Sequence, residues 1–222
     1  MRAIHQVVPH ESFPEVLEIG GGRGGLTRTL LPASRVTNLD MDAAFGALPV
    51  NRQDGVTFCC GDATALPFPD ARFDAVTMFD VIEHVPDDQA AMREAWRVLR
   101  PGGLLLLSTP HVSWRYPHFA FLRPWCPDES ELFAEWGHVR RGYRLEDLEA
   151  LVGARAERWA TFISRGTSLA HDLSWARLPE RLRRLLITLV APITWTAYAL
   201  HDPHDPGTET AACWRKPCAG QQ

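Results

Sequence analysis

A glycine-rich turn near the amino terminus carries the first residues whose types and spacing could bind a ligand. Residues 16–31 read VLEIGGGRGGLTRTLL, which is an apolar run, five glycines within six positions and then helix-like spacing. Three of the glycines satisfy the dinucleotide fingerprint G-x-G-x-x-G: Gly20, Gly22 and Gly25. One acid and three glycines also satisfy E-x-G-x-G-x-G, a different nucleotide-binding pattern: Glu18, Gly20, Gly22 and Gly24. The turn alone leaves both kinds of nucleotide open.

Acidic residues follow several of the apolar runs and could hold the polar parts of such a ligand. Asp40 lies twenty residues after the first glycine of the fingerprint, where an acid that binds a ribose is expected. The turn Gly61-Asp62-Ala63 follows another apolar run, and its acid can accept a hydrogen bond from an adenine amino group. Glu18 lies near the end of the first run, where a buried carboxylate is costly unless it has polar partners. In a parallel sheet these positions share the edge where ligands bind.

Strand-like and helix-like runs alternate in the first half of the chain and must position these residues. The predicted strands are Glu15–Ile19, residues 35–39, Val56–Cys60, Phe73–Phe79 and residues 104–109. A helix before the last of these has one apolar face and is predicted to end at RPGG; the face consists of Met92, Ala95, Trp96 and Leu99. The alternation predicts βαβ units and therefore a doubly wound α/β sheet with helices on both faces.

The second half of the chain is less regular. Residues 111–138 are rich in aromatic residues and proline, which predicts an irregular segment with short helices. The elements predicted after it are a helix, a strand, a helical stretch and a last strand: residues 145–152, 157–164, 165–200 and 210–216. We expect Gly153 to cap the first helix and Pro179 and Pro192 to break the helical stretch. The last strand should pair in antiparallel fashion at the sheet edge, and the tail from residue 217 should fray.

Length, charge and cysteine content restrict the class of protein. The 222 residues suffice for one domain with a sizeable core. The net charge of −4 lacks the basic footprint of a nucleic-acid-binding protein, so no nucleic-acid partner is expected. Five cysteines form no metal-binding spacing, and residues 1–15 hold no signal-peptide core, which together predict a cytoplasmic protein. The uncharged run over residues 185–200 is shorter than the roughly 20 residues of a transmembrane helix.

In this order and spacing, the motifs resemble those of a class I S-adenosylmethionine-dependent methyltransferase of the small-molecule type. The matching stretches are VLEIGGGRGG, VTNLDMD, CCGDATALPFPDARFDAVTMFDVIEHV and VLRPGGLLLLSTP, with weaker matches in GHVRRGYRLEDLEALV and CWRKP. The resemblance implies a Rossmann-like seven-stranded sheet that is mostly parallel with an antiparallel last strand. We expect a single domain over residues 1–222, in which residues 13–110 bind the cofactor and residues 111–222 cover the substrate side.

The resemblance also implies which residues surround S-adenosylmethionine. They are Glu18, Gly20, Gly21, Gly22, Asp40, Met41, Gly61, Asp62, Ala63 and Phe79. Asp40 would accept hydrogen bonds from the ribose hydroxyls, and Met41 would pack on the adenine face. Asp62 and the amide that follows it would bind the adenine edge. Glu18 would lie near the amino-acid end of the cofactor, and the Phe79 carbonyl would accept a hydrogen bond from its ammonium group.

The expected methyl acceptor is a hydroxyl of a small natural product or a sugar. A neutral hydroxyl is a poor nucleophile, so a base is expected, and histidine is the usual one near neutral pH. Four histidines are well placed by sequence: His84, His111, His118 and His138. His111 follows the fifth strand, His138 lies in a motif that borders the active site in the family, and His84 belongs to a family-wide EHV string. Proximity without a base would also be sufficient.

A short acidic string raises the alternative of a bound metal. Asp80, Glu83 and His84 resemble the E-x-x-E-H cluster of a metal-dependent O-methyltransferase branch that acts on quinone precursors. Two carboxylates and an imidazole could ligate a divalent ion. Metal-free relatives carry nearly the same string, and we therefore expect no metal.

The aromatic segment over residues 111–127 and the helices after Ser164 are the expected cover of the acceptor pocket. Only about a dozen residues precede the first strand, where relatives commonly have a helical lid. Residues 177–200 place arginines before an apolar run, which predicts a cap with Trp195 and Tyr198 in the pocket wall. Such a wall implies a bulky and partly hydrophobic acceptor.

Two other functions stay open at this level. The dinucleotide fingerprint also fits an NAD-dependent oxidoreductase. A catalytically silent methyltransferase fold that binds a partner is the other alternative. The intact acids Glu18, Asp40 and Asp62 argue against that second alternative. The oligomeric state is not predicted.

Overall fold

The computed structural model describes residues 2–23 and 25–218, in which seven strands and seven α-helices are found. The strands are β1 Glu15–Ile19, β2 Arg35–Asp40, β3 Val56–Cys60, β4 Phe73–Phe79, β5 Leu99–Pro110, β6 Arg158–Phe162 and β7 Glu209–Arg215. The helices are α1 Arg2–Val7, α2 Leu26–Leu30, α3 Asp88–Val98, α4 Glu129–Trp136, α5 Leu145–Val152, α6 Arg165–Trp175 and α7 Glu180–Leu200. Gly24, the last glycine of the second motif, and residues 219–222 of the tail lie outside the described residues.

The strands form one sheet in the order β3-β2-β1-β4-β5-β7-β6. Strands β1 to β5 pair in parallel, whereas β7 is antiparallel to both of its neighbours, β5 and β6. The predicted fold class, a seven-stranded doubly wound sheet with an antiparallel last strand, is confirmed. The predicted position of that strand at the edge is wrong, because β7 inserts between β5 and β6 and leaves β6 at the edge.

Apolar side chains alternate along the strands and build a core on each face of the sheet. Leu105 of β5 and Trp214 of β7 belong to the core under α3 and α5. Leu104, one residue away on β5, belongs to the opposite core together with Ile4 and Val7 of α1. This alternation with a period of two explains how near-continuous apolar strands can be buried on both faces.

The connection between α3 and β5 differs from the prediction. The sequence predicts that RPGG, residues 100–103, ends the helix and that the strand starts only after it. The strand begins directly after α3, at Leu99. Phe73 of β4 pairs with Leu99, whereas Ala75, two residues later, pairs with Leu104. Residues 100–103 therefore form a bulge in β5. Lys216 donates a hydrogen bond of 2.8 Å to the Leu99 carbonyl. The residue that supports this bulge comes from the far end of the chain, which explains why local patterns miss it.

The predicted break at Pro179 is confirmed, because α6 ends at Trp175 and α7 begins at Glu180. The predicted break at Pro192 is wrong, since α7 continues through this residue. One side of α7 packs against α6, and other sides expose large apolar side chains: Leu182, Leu185, Leu189, Ile193, Trp195, Tyr198 and Leu200. Among the described residues, no helix is both long and apolar enough to span a bilayer.

A close backbone contact at the end of β5 gives a test of the fold. Gly142 has a φ of 138°, and a Cβ built on it would lie 2.0 Å from the carbonyl oxygen of Pro110. We expect Gly142→Ala to lower the free energy of unfolding by about 2–4 kcal/mol, because both the backbone and Pro110 must shift. Urea denaturation measures this change.

Gly153 provides the matched control. It also has a positive φ, 77°, but a Cβ there would meet nothing within 4 Å. Gly153→Ala should therefore cost only the backbone strain of roughly 1–2 kcal/mol. Equal losses in the two variants would contradict the importance of the contact between Gly142 and Pro110.

Candidate functional site

A cleft of about 880 Å³ opens at the carboxyl ends of β1 to β4. Seven of the ten residues predicted around the cofactor line it: Gly20, Gly22, Asp40, Met41, Gly61, Asp62 and Ala63. The side chain of Met41 is 75% exposed there, as expected of a residue that covers a flat ligand. The sequence motifs thus meet in space at one edge of the sheet, in agreement with the rule for doubly wound folds.

The glycine turn after β1 forms the floor of this cleft. Gly20 has a φ of 69°, and a Cβ on it would lie 2.5 Å from a methyl group of Val81. Gly22 has a φ of 45° and lies next to Asp40 and Phe45. Both positions need glycine for conformation, and Gly20 needs it for space as well. The turn can therefore stay close to the strand ends and leave room for a ligand above it.

Asp40 and Asp62 present carboxylates to the cleft in a similar way. One oxygen of Asp40 accepts a hydrogen bond from the Asp42 amide, and one oxygen of Asp62 accepts from the Thr64 amide. The second oxygen of each has no hydrogen-bond partner within residues 2–23 and 25–218. Each side chain is thus oriented by its own turn and keeps a free acceptor.

Three of the ten predicted residues do not line the cleft: Glu18, Gly21 and Phe79. Glu18 is buried and accepts a hydrogen bond of 3.2 Å from the Thr27 amide. Burial raises the pKa of Glu18, and the hydrogen bonds from Thr27 oppose this rise. A Cβ on Gly21 would lie 2.3 Å from the side-chain oxygen of Asn38, so Gly21 makes room for the polar side chains beneath the turn. The Phe79 side chain packs against the core on the opposite face.

Two asparagines that the sequence motifs do not identify hold the turn in position. The Asn38 amide donates to the Asn51 side-chain oxygen at 2.6 Å. Asn51 in turn donates to the carbonyl oxygens of Gly22 and Phe45 at 3.0 and 2.9 Å. Both asparagines are buried. In the sequence, Asn38 is a polar residue within an apolar strand, and this could have indicated its role. Nothing in the sequence links Asn38 to Asn51.

A second, smaller cavity of about 220 Å³, here called the annex, adjoins the cleft. Asp80, His84 and Trp136 line both cavities. The other residues of the annex are Glu83, Pro110, Trp114, His138, His171 and Glu209. Asp80, which directly follows β4, has a φ of 52°, a strained value for an aspartate and one that is enriched at functional sites. The annex therefore begins at the point where the chain leaves β4.

Three acids line the annex, and none forms an ion pair with a lysine or arginine of the described residues. Glu83 is fully buried and Glu209 is 8% exposed. The Ser108 hydroxyl donates to Asp80, and the Thr109 hydroxyl donates to Glu83. One oxygen of Glu83 and one of Glu209 have no hydrogen-bond partner in the described part of the chain. Burial, together with the neighbouring Asp80 carboxylate, raises the pKa of Glu83 to about 8.

Two of the predicted histidines meet in the annex. The ring centroids of His84 and His138 are 4.6 Å apart, in an edge-to-face arrangement. The Nδ1 atom of His84 lies 3.2 Å from the Gly137 carbonyl oxygen, and its Nε2 atom lies 3.9 Å from Glu83. Burial, with a contribution from His84, lowers the pKa of His138 to about 4. His138 is therefore neutral at pH 7.

The structure does not bring His111 or His118 to either cavity. The Nδ1 atom of His111 lies 2.6 Å from the Ser113 hydroxyl, and burial lowers its pKa. His118 instead accepts a hydrogen bond from Arg165. Of the four candidate histidines, only His84 and His138 face the annex.

The annex also contains the one group of possible metal ligands found among the described residues. It consists of Glu83, His84 and His138, whose ligand atoms lie within 4.8 Å of one another. The trio suggested by the sequence was a different one, because it included Asp80 instead of His138. The expectation that no metal is required stays a prediction.

The cover over the annex does not come from α7. Neither Trp195 nor Tyr198 lines the cleft or the annex, and Trp195 is 75% exposed, so the predicted cap is wrong. The aromatic segment and α6, both expected as cover from the sequence, supply the wall through Trp114 and His171. The amino-terminal helix α1 packs on β6 and β7, within the opposite core.

The comparisons with known proteins agree with this geometry. A family model described as a methyltransferase domain matches residues 17–107. A probable S-adenosylmethionine-dependent methyltransferase of Mycolicibacterium smegmatis is 44% identical over 98 residues, which are 44% of this chain and 38% of the relative. Residues 17–107 are a class I S-adenosylmethionine-dependent methyltransferase domain. The predicted family and the predicted cofactor are confirmed, and the oxidoreductase alternative is not supported.

Further relatives show the same domain with different annotated roles. A ubiquinone/menaquinone biosynthesis C-methyltransferase of Hahella chejuensis is 38% identical over 124 residues, which cover 48% of this chain and 49% of the relative. The chain thus spans less than half the length of the curated relatives named here. The structure of a methyltransferase from Bacillus halodurans covers 96% of this chain and 97% of its own, with a TM-score of 0.61 and 21% identity. This last likeness supports the methyltransferase fold.

The buried acid Glu209 predicts how the stability of the folded chain depends on pH. Burial raises the pKa of Glu209 well above its usual range, and Asp80 and Glu83 raise it further. The folded state therefore binds this proton more tightly than the unfolded chain, and its contribution to stability is lost as the pH rises above about 4.5. Glu209→Gln should leave the free energy of unfolding nearly unchanged at about pH 4.5. At about pH 8 the same substitution should raise it by roughly 1–3 kcal/mol.

Chemical denaturation at the two pH values measures this difference. Asp54→Asn is the control, because it removes the same charge from an exposed position. If Glu209→Gln and the wild type have the same pH dependence, Glu209 is not a buried acid with a raised pKa.

Proposed function

We propose that this protein is an S-adenosylmethionine-dependent methyltransferase that methylates a hydroxyl of a small molecule, such as a natural product or a sugar. The cleft would hold the cofactor and the annex would hold the acceptor. The observation that supports this assignment is the junction of the two cavities at Asp80, His84 and Trp136. A methyl donor in one cavity and an acceptor in the other would meet there, and transfer requires such alignment above all.

The free acceptors of the cleft match the polar groups of the cofactor. Asp40 would accept hydrogen bonds from the ribose hydroxyls, and Asp62 would accept from the adenine amino group. The exposed side chain of Met41 would cover the adenine ring, and the Ala63 amide would donate to a ring nitrogen. When bound, S-adenosylmethionine supplies an electrophilic methyl group on a sulfonium sulfur. Glu18 would lie beneath the glycine turn, near the amino-acid end of the cofactor.

His84 is the group best situated to act as the base. Its Nδ1 atom faces a carbonyl oxygen, which can only accept a hydrogen bond, so Nδ1 carries the hydrogen. In the neutral imidazole, Nε2 is then the nitrogen that can accept a proton, on a ring that borders both cavities. As the acceptor oxygen is methylated, Nε2 would take up the hydroxyl proton. Neutral His138, packed edge-to-face against the ring, would help to fix its orientation.

A carbon acceptor is a second candidate. The relative from Hahella chejuensis is named a C-methyltransferase of ubiquinone/menaquinone biosynthesis. On a phenol, removal of the hydroxyl proton also activates the neighbouring ring carbon, so the same base would serve both reactions. Analysis of the methylated product distinguishes an ether from a new carbon–carbon bond.

Cofactor binding tests the role of Asp40. Asp40→Asn should weaken S-adenosylhomocysteine binding more than tenfold, because a charge-assisted contact is worth about 1.5–3 kcal/mol. Asp42→Asn is the matched control, since Asp42 lies two residues away and only caps a short helical turn. Isothermal titration calorimetry measures both affinities. An unchanged affinity in Asp40→Asn would remove this residue from the binding site.

Turnover tests the role of His84. Once an acceptor is found by screening phenols and sugars, His84→Gln should lower kcat by roughly 10²–10⁴-fold at an unchanged affinity for S-adenosylhomocysteine. His111→Gln should retain wild-type kcat, because His111 lines neither cavity. Near-normal turnover in His84→Gln would favour catalysis by proximity alone. A protein that binds the cofactor but methylates no acceptor would support the silent-fold alternative.

A further inference from the structure

The annex contains more carboxyl groups than the proposed base chemistry needs. Asp80, Glu83 and Glu209 all line it, and none forms an ion pair with a lysine or arginine of the described chain. Arg140 lowers the pKa of Glu83, but its ion pair is with Asp88. Buried carboxylates without a cation or a full set of hydrogen bonds are expensive. Two such groups, Glu83 and Glu209, with the more exposed Asp80 beside them, are therefore complementary to a cation that the described chain does not supply.

The unpartnered oxygens indicate where that cation would bind. They belong to Glu83, which is fully buried, and to Glu209, which is 8% exposed. Glu83 follows β4, whereas Glu209 starts β7, so the two acids approach the annex from different elements. Each has one acceptor available for an N–H donor. A group that carries several hydrogen-bond donors satisfies both at once.

The remaining wall of the annex favours an organic cation. Trp114 and Trp136 both line the cavity, and indole rings attract ammonium groups through cation–π interactions. The imidazole of His138, with its lowered pKa, is uncharged at neutral pH and does not repel a cation. Aromatic rings beside carboxylates form a common environment for amines.

We propose that the annex binds the protonated amino group of an amine-bearing acceptor, with Glu83 and Glu209 as its hydrogen-bond acceptors. This inference rests on the proposed function, in which the annex is the acceptor site. The acceptor class narrows accordingly, from hydroxyl compounds in general to amino alcohols, amino sugars and related compounds. Asp80, at the junction with the cleft, adds to the negative potential of the same site.

A divalent metal ion satisfies these groups less completely. The only metal-like group among the described residues is Glu83, His84 and His138, and it includes neither Asp80 nor Glu209. An ion bound there would leave the free oxygen of Glu209 unpartnered. An ammonium group attached to a larger molecule can span the cavity of about 220 Å³ and reach both glutamates.

A matched pair of probes tests the proposal on the complete chain. 2-Phenylethylamine and 2-phenylethanol have nearly the same shape, and only the amine is charged at about pH 7. Their affinities are measured by calorimetry in the presence of saturating S-adenosylhomocysteine. We expect the amine to bind about tenfold or more tightly than the alcohol. Equal affinities, including no binding of either probe at millimolar concentration, would overturn the proposal.

Two variants identify the residues responsible. Glu209→Gln should reduce the preference for the amine to about threefold or less, because glutamine keeps the shape but cannot form a carboxylate to pair with the ammonium group. Asp54→Asn, an exposed site with the same charge change, should leave the preference intact. Glu209→Gln removes a buried carboxyl group with an unpartnered oxygen and is therefore expected to fold. A preference that persists in Glu209→Gln would contradict the assignment.

The metal alternative and the proposed function fail in recognisably different ways. If ZnCl₂ or MgCl₂ displaces the amine and this competition is lost in His138→Gln but kept in Glu209→Gln, the annex is a metal site and the proposal is wrong. If S-adenosylhomocysteine does not bind to the wild type, the proposed function itself fails. If it binds while the two probes are not distinguished, only the inference about the amine fails.

Discussion

The hydrogen bonds from Asn51 to the carbonyl oxygens of Gly22 and Phe45 fix the position of the glycine turn, on which the whole cleft depends. Asn51 is itself held by Asn38 inside β2. Gly21 has no side chain, which lets Asn38 reach this position. A displaced turn would change the distance between the cleft floor and Asp40. The glycines thus create the space, and the buried asparagines determine its shape.

Most of the fold follows from local patterns, and the failures share one physical cause. The bounds of β1, β3 and β4 agree with the sequence prediction, because their apolar runs end at turn residues. The bulge in β5 does not follow, since its support comes from Lys216 at the other end of the chain. The position of β7 within the sheet is likewise a matter of long-range pairing. Tertiary contacts decide both cases, and no local window contains them.

The two cavities also differ in how much of their lining local sequence motifs can predict. The cleft is built from residues that follow consecutive strands, so short motifs identify most of its lining. The annex joins Asp80 and Glu83 to Trp114, to His138 and to Glu209, which lie far apart in sequence. Only the sheet order, with β7 beside β5, brings Glu209 to this edge. The residues on the acceptor side could therefore not be grouped from their spacing in the sequence. His111 follows β5 as predicted, but it lines neither cavity.

The acids of the two cavities differ in burial, and this difference indicates a different role for each cavity. Asp40 and Asp62 keep one oxygen in a local turn and face an open cleft, so their charge costs little before a ligand arrives. Glu83 and Glu209 are buried, and burial raises the pKa of both. A folded protein retains such unfavourable groups where a function offsets their cost. A bound ammonium group would lower both pKa values again, because it favours the ionised carboxylates. Acceptor binding in the annex would then be coupled to proton release from these two glutamates.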